Sequence, residues 1–190
     1  MPRDYRNHLT KQIGEHLVVA ELGRRNIIAA PFAGNVPDID ILAYAEGRTI
    51  AVQVKALRTG TVQVDARTFL NIRFEGETQI IDGLNIVDRE LVYVLVCIGV
   101  QSAGDRFFIF TQGDLQDVIL TNHTGALLKH GGRRPKNWES THCAYGPASL
   151  TGAEDNWELI EQRLGLAPKS HRAPPLDTAV IPSPLIPAPR

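Results

Sequence analysis

The longest apolar run in the chain is Leu91-Val92-Tyr93-Val94-Leu95-Val96-Cys97-Ile98-Gly99-Val100. It is about half the length a membrane-spanning helix needs. A continuous run of this kind, rich in β-branched residues and without polar alternation, reads as a central strand buried on both faces. Arg106–Thr111 reads as its neighbour. Helical patterns flank these strands. Residues 7–25 carry Leu9, Ile13, Leu17 and Ala20 on one stripe and Val18, Val19 and Leu22 on another side, so the expectation is a helix buried in the body, with Asn26 as a left-handed cap. Residues 114–129 read as a second helix. Asp155-x-x-Glu158 opens a third with a capping-box-like pattern, ending at Gly165. Helix, strands, helix predicts an α/β fold.

The 190 residues, 43% of them hydrophobic, suffice for one domain with a real core. That domain is expected over residues 1–167. Residues 168–190 hold seven of the 12 prolines and no aromatic residue, so they read as a proline-rich disordered tail. With two cysteines a disulfide framework is excluded. The first twelve residues contain no apolar stretch of the secretory type, and the expected location is cytoplasmic. A net charge of −1 excludes a bulk polycation, so contact with nucleic acid must come from a local patch.

The chemistry concentrates in a hairpin. Ile39, Ile41 and Ala43 alternate with Asp38, Asp40 and Leu42; Ile50, Val52 and Val54 alternate with Ala51, Gln53 and Lys55. Both stretches show the period of two expected of strands, and Glu46-Gly47 is a two-residue turn between them. That turn sets Ala45 opposite Arg48, Asp40 opposite Gln53 and Asp38 opposite Lys55. Opposed Cβ atoms lie about 4.5–5.5 Å apart, so two carboxylates, an amide and an ammonium converge on one face. Glu15 lacks a clean polar face on the first helix, since Val18, Val19 and Leu22 follow at i+3, i+4 and i+7. A carboxylate there snorkels, pairs with a cation or approaches a metal.

Gly14-Glu15, Pro37-Asp38-Ile39-Asp40-Ile41-Leu42 and Val52-Gln53-Val54-Lys55 together resemble the PD-(D/E)XK nucleases, the restriction-endonuclease-like superfamily that includes Holliday-junction resolvases. The resemblance covers residues 8–58 and implies a restriction-endonuclease-like α/β core, a central mixed β-sheet flanked by helices, which the strands at 91–111 would continue. It implies that Asp40 binds metal, with Asp38 as the alternative, that Gln53 takes the place of the family's Asp/Glu, that Lys55 is the family lysine and that Glu15 is the helix acid. It departs from the family pattern at Gln53, giving a Q-x-K version. The implied activity is Mg²⁺- or Mn²⁺-dependent endonucleolytic hydrolysis of DNA, with the carbonyl of Val54 as a further ligand. A hard Mg²⁺ ion held by one or two carboxylates neutralises phosphate charge and activates water, and an ammonium such as Lys55 stabilises the charge that develops. The bland reading of Asp40, Gln53 and Lys55 is an exposed strand face with a cross-strand ion pair. In a second functional reading the fold has lost cleavage and serves as a DNA- or protein-binding module. A homodimer is left open.

Lys129-His130-Gly131-Gly132-Arg133-Arg134-Pro135-Lys136 holds four lysines and arginines and no acid. It reads as a phosphate-contacting loop, with Trp138 placed to stack on a base, or as a solvated turn. His123, His130, His142 and Cys143 do not have the spacing of a familiar zinc site.

Overall fold

A computed structural model describes residues 5–32, 39–100 and 104–167. Asp38 and the tail over residues 168–190 lie outside the described residues. Helix α1 (Arg6–Arg24) comes first and ends at Asn26, whose φ of 63° is the left-handed conformation expected of that cap. Three strands follow: β1 (Ile28–Pro31), β2 (Ile41–Ala45) and β3 (Arg48–Leu57). Glu46 and Gly47 both have positive φ, as a two-residue hairpin turn requires. The observed register pairs Ala45 with Arg48 and Ile41 with Val52, as the turn predicts.

After β3 the chain makes an excursion through β4 (Val62–Asp65), β5 (Leu70–Glu75) and β6 (Thr78–Leu84). It then returns as β7 (Val92–Cys97), parallel to β3, and turns back as the antiparallel β8 (Arg106–Thr111). The main sheet has the order β1-β2-β3-β7-β8 and is mixed. Helix α2 (Gln112–Leu128) starts two residues earlier than its apolar pattern suggests, because Thr111 caps it. The Thr111 hydroxyl accepts from the Asp114 N–H at 3.0 Å, and the Asp114 carboxylate accepts from the Thr111 N–H at 2.8 Å. Strand β9 (His142–Tyr145) pairs with β4, and α3 (Glu158–Arg163) closes the domain. The capping box expected at Asp155 does not form: Asp155 sits at φ 51° and the cap position, Trp157, makes no side-chain bond.

The sheet separates two cores. One lies between the sheet and helices α1 and α3, built on Val18, Leu22, Ile41, Val52, Val94 and Ile160. The other lies under α2, β4 and β9, built on Tyr93, Leu95, Phe108, Leu115, Ile119 and Tyr145. Strand β7 therefore contributes to both, as its uninterrupted apolar run demands. Helix α1 differs from expectation. It buries a single stripe, Thr10, Gly14, Val18 and Leu22, and leaves Leu9 48% exposed. The stripe works because Gly14 has no side chain: a Cβ there would lie 2.5 Å from Ala56 Cβ, so α1 sits directly on β3. Among the described residues no helix is long and apolar enough to cross a membrane.

Candidate functional site

The end of the β2–β3 ladder brings the hairpin residues together. Asp40 precedes β2 at a bend, its N–H donating to the Val52 carbonyl at 3.1 Å. Among the described residues the β2–β3 backbone pairing ends there, and the Asp40 side chain takes over. Its Oδ2 accepts from the Val54 N–H at 2.8 Å and from the Gln53 amide nitrogen. In an extended strand the N–H and C=O of one residue point to the same side, so the Val54 carbonyl also faces this edge. Gln53 is 6% exposed, because its parallel partner on β7 is Tyr93, itself stacked on Phe110 at 5.9 Å. A buried amide must be hydrogen-bonded, and here Asp40 meets that need.

Helix α1 supplies the other side. Lys11 stands between two carboxylates, with Nζ 3.3 Å from Asp40 Oδ1 and 3.6 Å from Glu15 Oε1. Asp40 is the main cause of a Lys11 pKa raised above the ordinary lysine value. The carboxylates are nearly covered, with side-chain exposures of 10% for Asp40 and 18% for Glu15, while Lys11 reaches out to solvent at 61%. Lys55 is half-buried on the Gln53 side of β3, and its ammonium has no hydrogen-bond or ion-pair partner among the described residues. The structure thus gathers Asp40, Glu15, Gln53 and the Val54 backbone; Lys55 follows two residues along the same strand. Lys11 is the member the sequence reading missed. The legible signal was its i,i+4 spacing to Glu15, which sets a lysine and a carboxylate on one helix face.

These donors suit a hard cation. Two carboxylates already share one positive charge, and the remaining candidates, a side-chain amide and a backbone carbonyl, are oxygen ligands of the kind Mg²⁺ takes alongside water. No soft ligand lies in the set. Among the described residues there is no cluster of three or more His, Cys, Asp or Glu side chains arranged to hold a metal ion by themselves. His123 is fully buried and bonded through Nε2 to Gln79 Oε1 at 2.9 Å; burial, and secondarily Arg134, lowers its pKa to about 4. It is a neutral core residue at pH 7, tied to β6 rather than to His130, His142 or Cys143.

The basic loop is anchored at several points. Gln79 donates to the carbonyls of Trp138 and Ser140. Arg134 donates to the carbonyls of Ser140 and His142, and Arg133 pairs with Glu77 at 2.6 Å. Trp138 stands edge-on against Phe74, with ring centroids 5.7 Å apart. Lys129 and Lys136 are exposed, and Lys129, His130 and Arg134 help line a cleft of about 440 Å³ beside α2. No hydrogen bond or ion pair among the described residues links this loop to Asp40, Gln53 or Lys55.

No family model matches the sequence, and no curated protein matches it. A solved structure described as that of a bacterial homing endonuclease, I-Ssp6803I, is similar to this fold with a TM-score of 0.44 and 14% identity. The match covers 82% of this chain and 93% of that one.

Proposed function

We propose that the protein is a metal-dependent nuclease that hydrolyses phosphodiester bonds of DNA, with a PD-(D/E)XK-like site in a Q-x-K version. The observation that supports this reading best is the convergence at the open end of the β2–β3 ladder. Two carboxylates from different elements, a buried amide and a backbone edge meet there, with Lys55, unpartnered among the described residues, two residues further along the same strand, in the order in which the sequence resembles that superfamily. When bound, a divalent cation would neutralise charge on the phosphate and lower the pKa of a coordinated water. Asp40 and Glu15 would hold it, with Gln53 and the Val54 carbonyl as neutral ligands.

The chain's own residues do the rest. Asp40 is held in place by the Val54 N–H, which fixes one oxygen and leaves the other toward Lys11 and Glu15. Gln53, buried against Tyr93, orients either an amide oxygen or a water. Lys55, on the same strand, would offer a positive charge and three donors to a non-bridging phosphate oxygen and would stabilise the negative charge that grows there during attack. Lys11 balances the two carboxylates and would leave when a divalent ion arrives. The test is an assay of linear, nicked, flapped and branched DNAs with Mg²⁺ or Mn²⁺. Absence of cleavage on every substrate with either metal would overturn the reading.

One observation favours the binding-module alternative. Gln53 turns its nitrogen, not its oxygen, toward Asp40, and Lys11 already compensates both carboxylates. Gln53→Glu separates the two readings. It sets a second carboxylate beside Asp40, and two unit charges 4 Å apart repel by about 4 kcal/mol at an effective dielectric near 20. Lys11 and uptake of a proton would offset much of this, so the metal-free variant should melt a few degrees below wild type. Mg²⁺ should restore it with a larger upward shift than wild type shows, because the ion gains a charged ligand. Identical Mg²⁺ titrations of the two melting temperatures would remove Gln53 from a metal site.

The basic loop is proposed as the DNA-contacting surface. Replacing Lys129, Arg133 and Lys136 by Ala, and keeping Arg134 because it holds two carbonyls of the loop, should weaken binding irrespective of sequence. With roughly 0.9 lost per phosphate contact, the log–log salt slope should fall by about 3. An unchanged slope would make the loop a solvated turn.

A further inference from the structure

A cleft of about 460 Å³ opens where the end of β3 passes the start of α1. Arg6, Asn7 and Thr10 line it from the helix, and Arg58 and Thr59 from the bend beyond the strand, over an aliphatic floor. Among the described residues no acidic side chain contributes to its walls. The cleft beside the other end of α1 is different in kind, since Glu21, Asp105, Asp155, Glu158 and Glu161 all line it.

Arg58 gives the first cleft its character. Arg67, Arg73, Arg89, Arg106, Arg133 and Arg163 each pair with a carboxylate. Arg58 instead donates from Nε to the Thr10 hydroxyl at 3.2 Å, and that hydroxyl donates to the Arg6 carbonyl at 2.7 Å. Thr10 belongs to the buried stripe of α1, so the anchor is fixed to the sheet. The terminal amino groups of Arg58 have no hydrogen-bond or ion-pair partner among the described residues. A planar guanidinium fixed through Nε, with its fork unclaimed and no carboxylate in the cleft among the described residues, is arranged for an oxyanion. Two parallel N–H···O bonds to one phosphate match that geometry.

We propose that this cleft binds a backbone phosphate of the nucleic-acid strand, a few nucleotides from the bond that the Asp40–Lys55 site would cut. The position rests on the nuclease reading; the phosphate chemistry does not. Arg58 follows Lys55 by three residues, about 10 Å along an extended chain. That spans roughly three nucleotide rises of about 3.4 Å on one strand of a duplex. The two groups thus lie within a few nucleotide rises of each other along the chain, and a strand passing round the end of β3 from the Gln53 side to the α1 side would have its position relative to Lys55 set by the cleft. Free phosphate has the same chemistry, and the experiment separates the two sources.

Binding of a fluorescent 20-base-pair duplex is measured in EDTA across a salt series for wild type, Arg58→Ala and Thr10→Val, with melting of each protein in inorganic phosphate alongside. Arg58→Ala should bind about tenfold more weakly, the size of one charged hydrogen-bonded contact, with a salt slope shallower by about 0.9. Thr10→Val keeps the charge but frees it, and should keep the slope while losing part of the affinity. If wild type does not bind the duplex, or Arg58→Ala binds it as wild type does, the proposal is overturned. In the second case, a melting shift with inorganic phosphate that Arg58→Ala abolishes would assign the cleft to the free anion. The salt series contains no metal. An Arg58 effect on binding, found with a protein that cleaves no DNA in Mg²⁺ or Mn²⁺, would therefore uphold the phosphate cleft while ending the nuclease reading.

Discussion

Lys55→Ala should lose metal-dependent cleavage by a factor of about 10²–10³, the usual effect of removing one preorganised group that stabilises transition-state charge. It should do so without unfolding. Lys55 is half-buried and its ammonium has no partner among the described residues, so its removal belongs with substitutions that shift stability by about 0.5 kcal/mol or less. Asp40 needs a different control. Its carboxylate satisfies the Val54 N–H and the buried Gln53 amide, so Asp40→Ala strands two donors at a cost of about 1–3 kcal/mol each. Asp40→Asn retains an acceptor for Val54 while removing the charge, and should be the better-folded variant that is equally inactive. The measurement is a single-turnover rate on whichever DNA the substrate panel selects, beside a melting curve for each variant. Wild-type cleavage by Lys55→Ala and Asp40→Asn would mean that the activity arises elsewhere on the protein.

The candidate site was legible because a hairpin is a local object. Glu46-Gly47 fixes the register, and the register alone places Asp40 beside Gln53, from residues only 13 apart in the chain. The two-sided burial of β7 was legible for a similar reason, since a strand that serves both cores cannot alternate. What escaped was non-local. Strand β4 finds its partner in β9, with Val62 opposite Tyr145, and neither four-residue segment carries enough periodicity to announce itself. Strand β1 is short, ends in Pro31 and is largely exposed at the sheet edge, where an apolar pattern is weakest. One local element escaped too: in β5, Leu70, Ile72 and Phe74 alternate with Asn71, Arg73 and Glu75, and its hairpin with β6 carries the ion-paired Arg73, Glu75 and Asp82. On α1, burial expected on most sides gave way to a single buried stripe. Leu9, Ile13 and Leu17 are more hydrophobic than Thr10, Gly14 and Val18, yet closeness to β3 decided which face turned inward. Hydrophobicity ranks faces by what they gain from burial, and it is blind to how near a backbone must come.

That closeness can be measured. Gly14→Ala should destabilise the protein, although Ala is the better helix former by about 1 kcal/mol. The added Cβ would stand 2.5 Å from Ala56 Cβ, well inside contact distance, and both atoms belong to regular elements that cannot rotate them away. Overpacking of this kind costs about 1–3 kcal/mol, occasionally more. For a chain of this size each kcal/mol lowers the melting temperature by about 2–4 °C. Gly23, on the exposed side of the same helix, meets nothing within 4 Å, so Gly23→Ala should leave stability unchanged or raise it. The collision has one named partner, so Ala56→Gly should relieve it. With Ala56 Cβ gone, the nearest atoms to the new methyl are Val54 Cγ1 at 3.6 Å and Ala56 Cα at 3.7 Å, which is ordinary contact. The double variant should therefore be more stable than the sum of its single changes, by an interaction energy above about 1 kcal/mol in a double-mutant cycle. The same displacement reaches the site. Lys11 and Glu15 flank Gly14 on α1, and pushing the helix off β3 carries both away from Asp40, so any cleavage activity should fall with Gly14→Ala and return with the second substitution. Additive melting data across the cycle would show that α1 can move aside without cost, and that its glycine does not set the position of the acids.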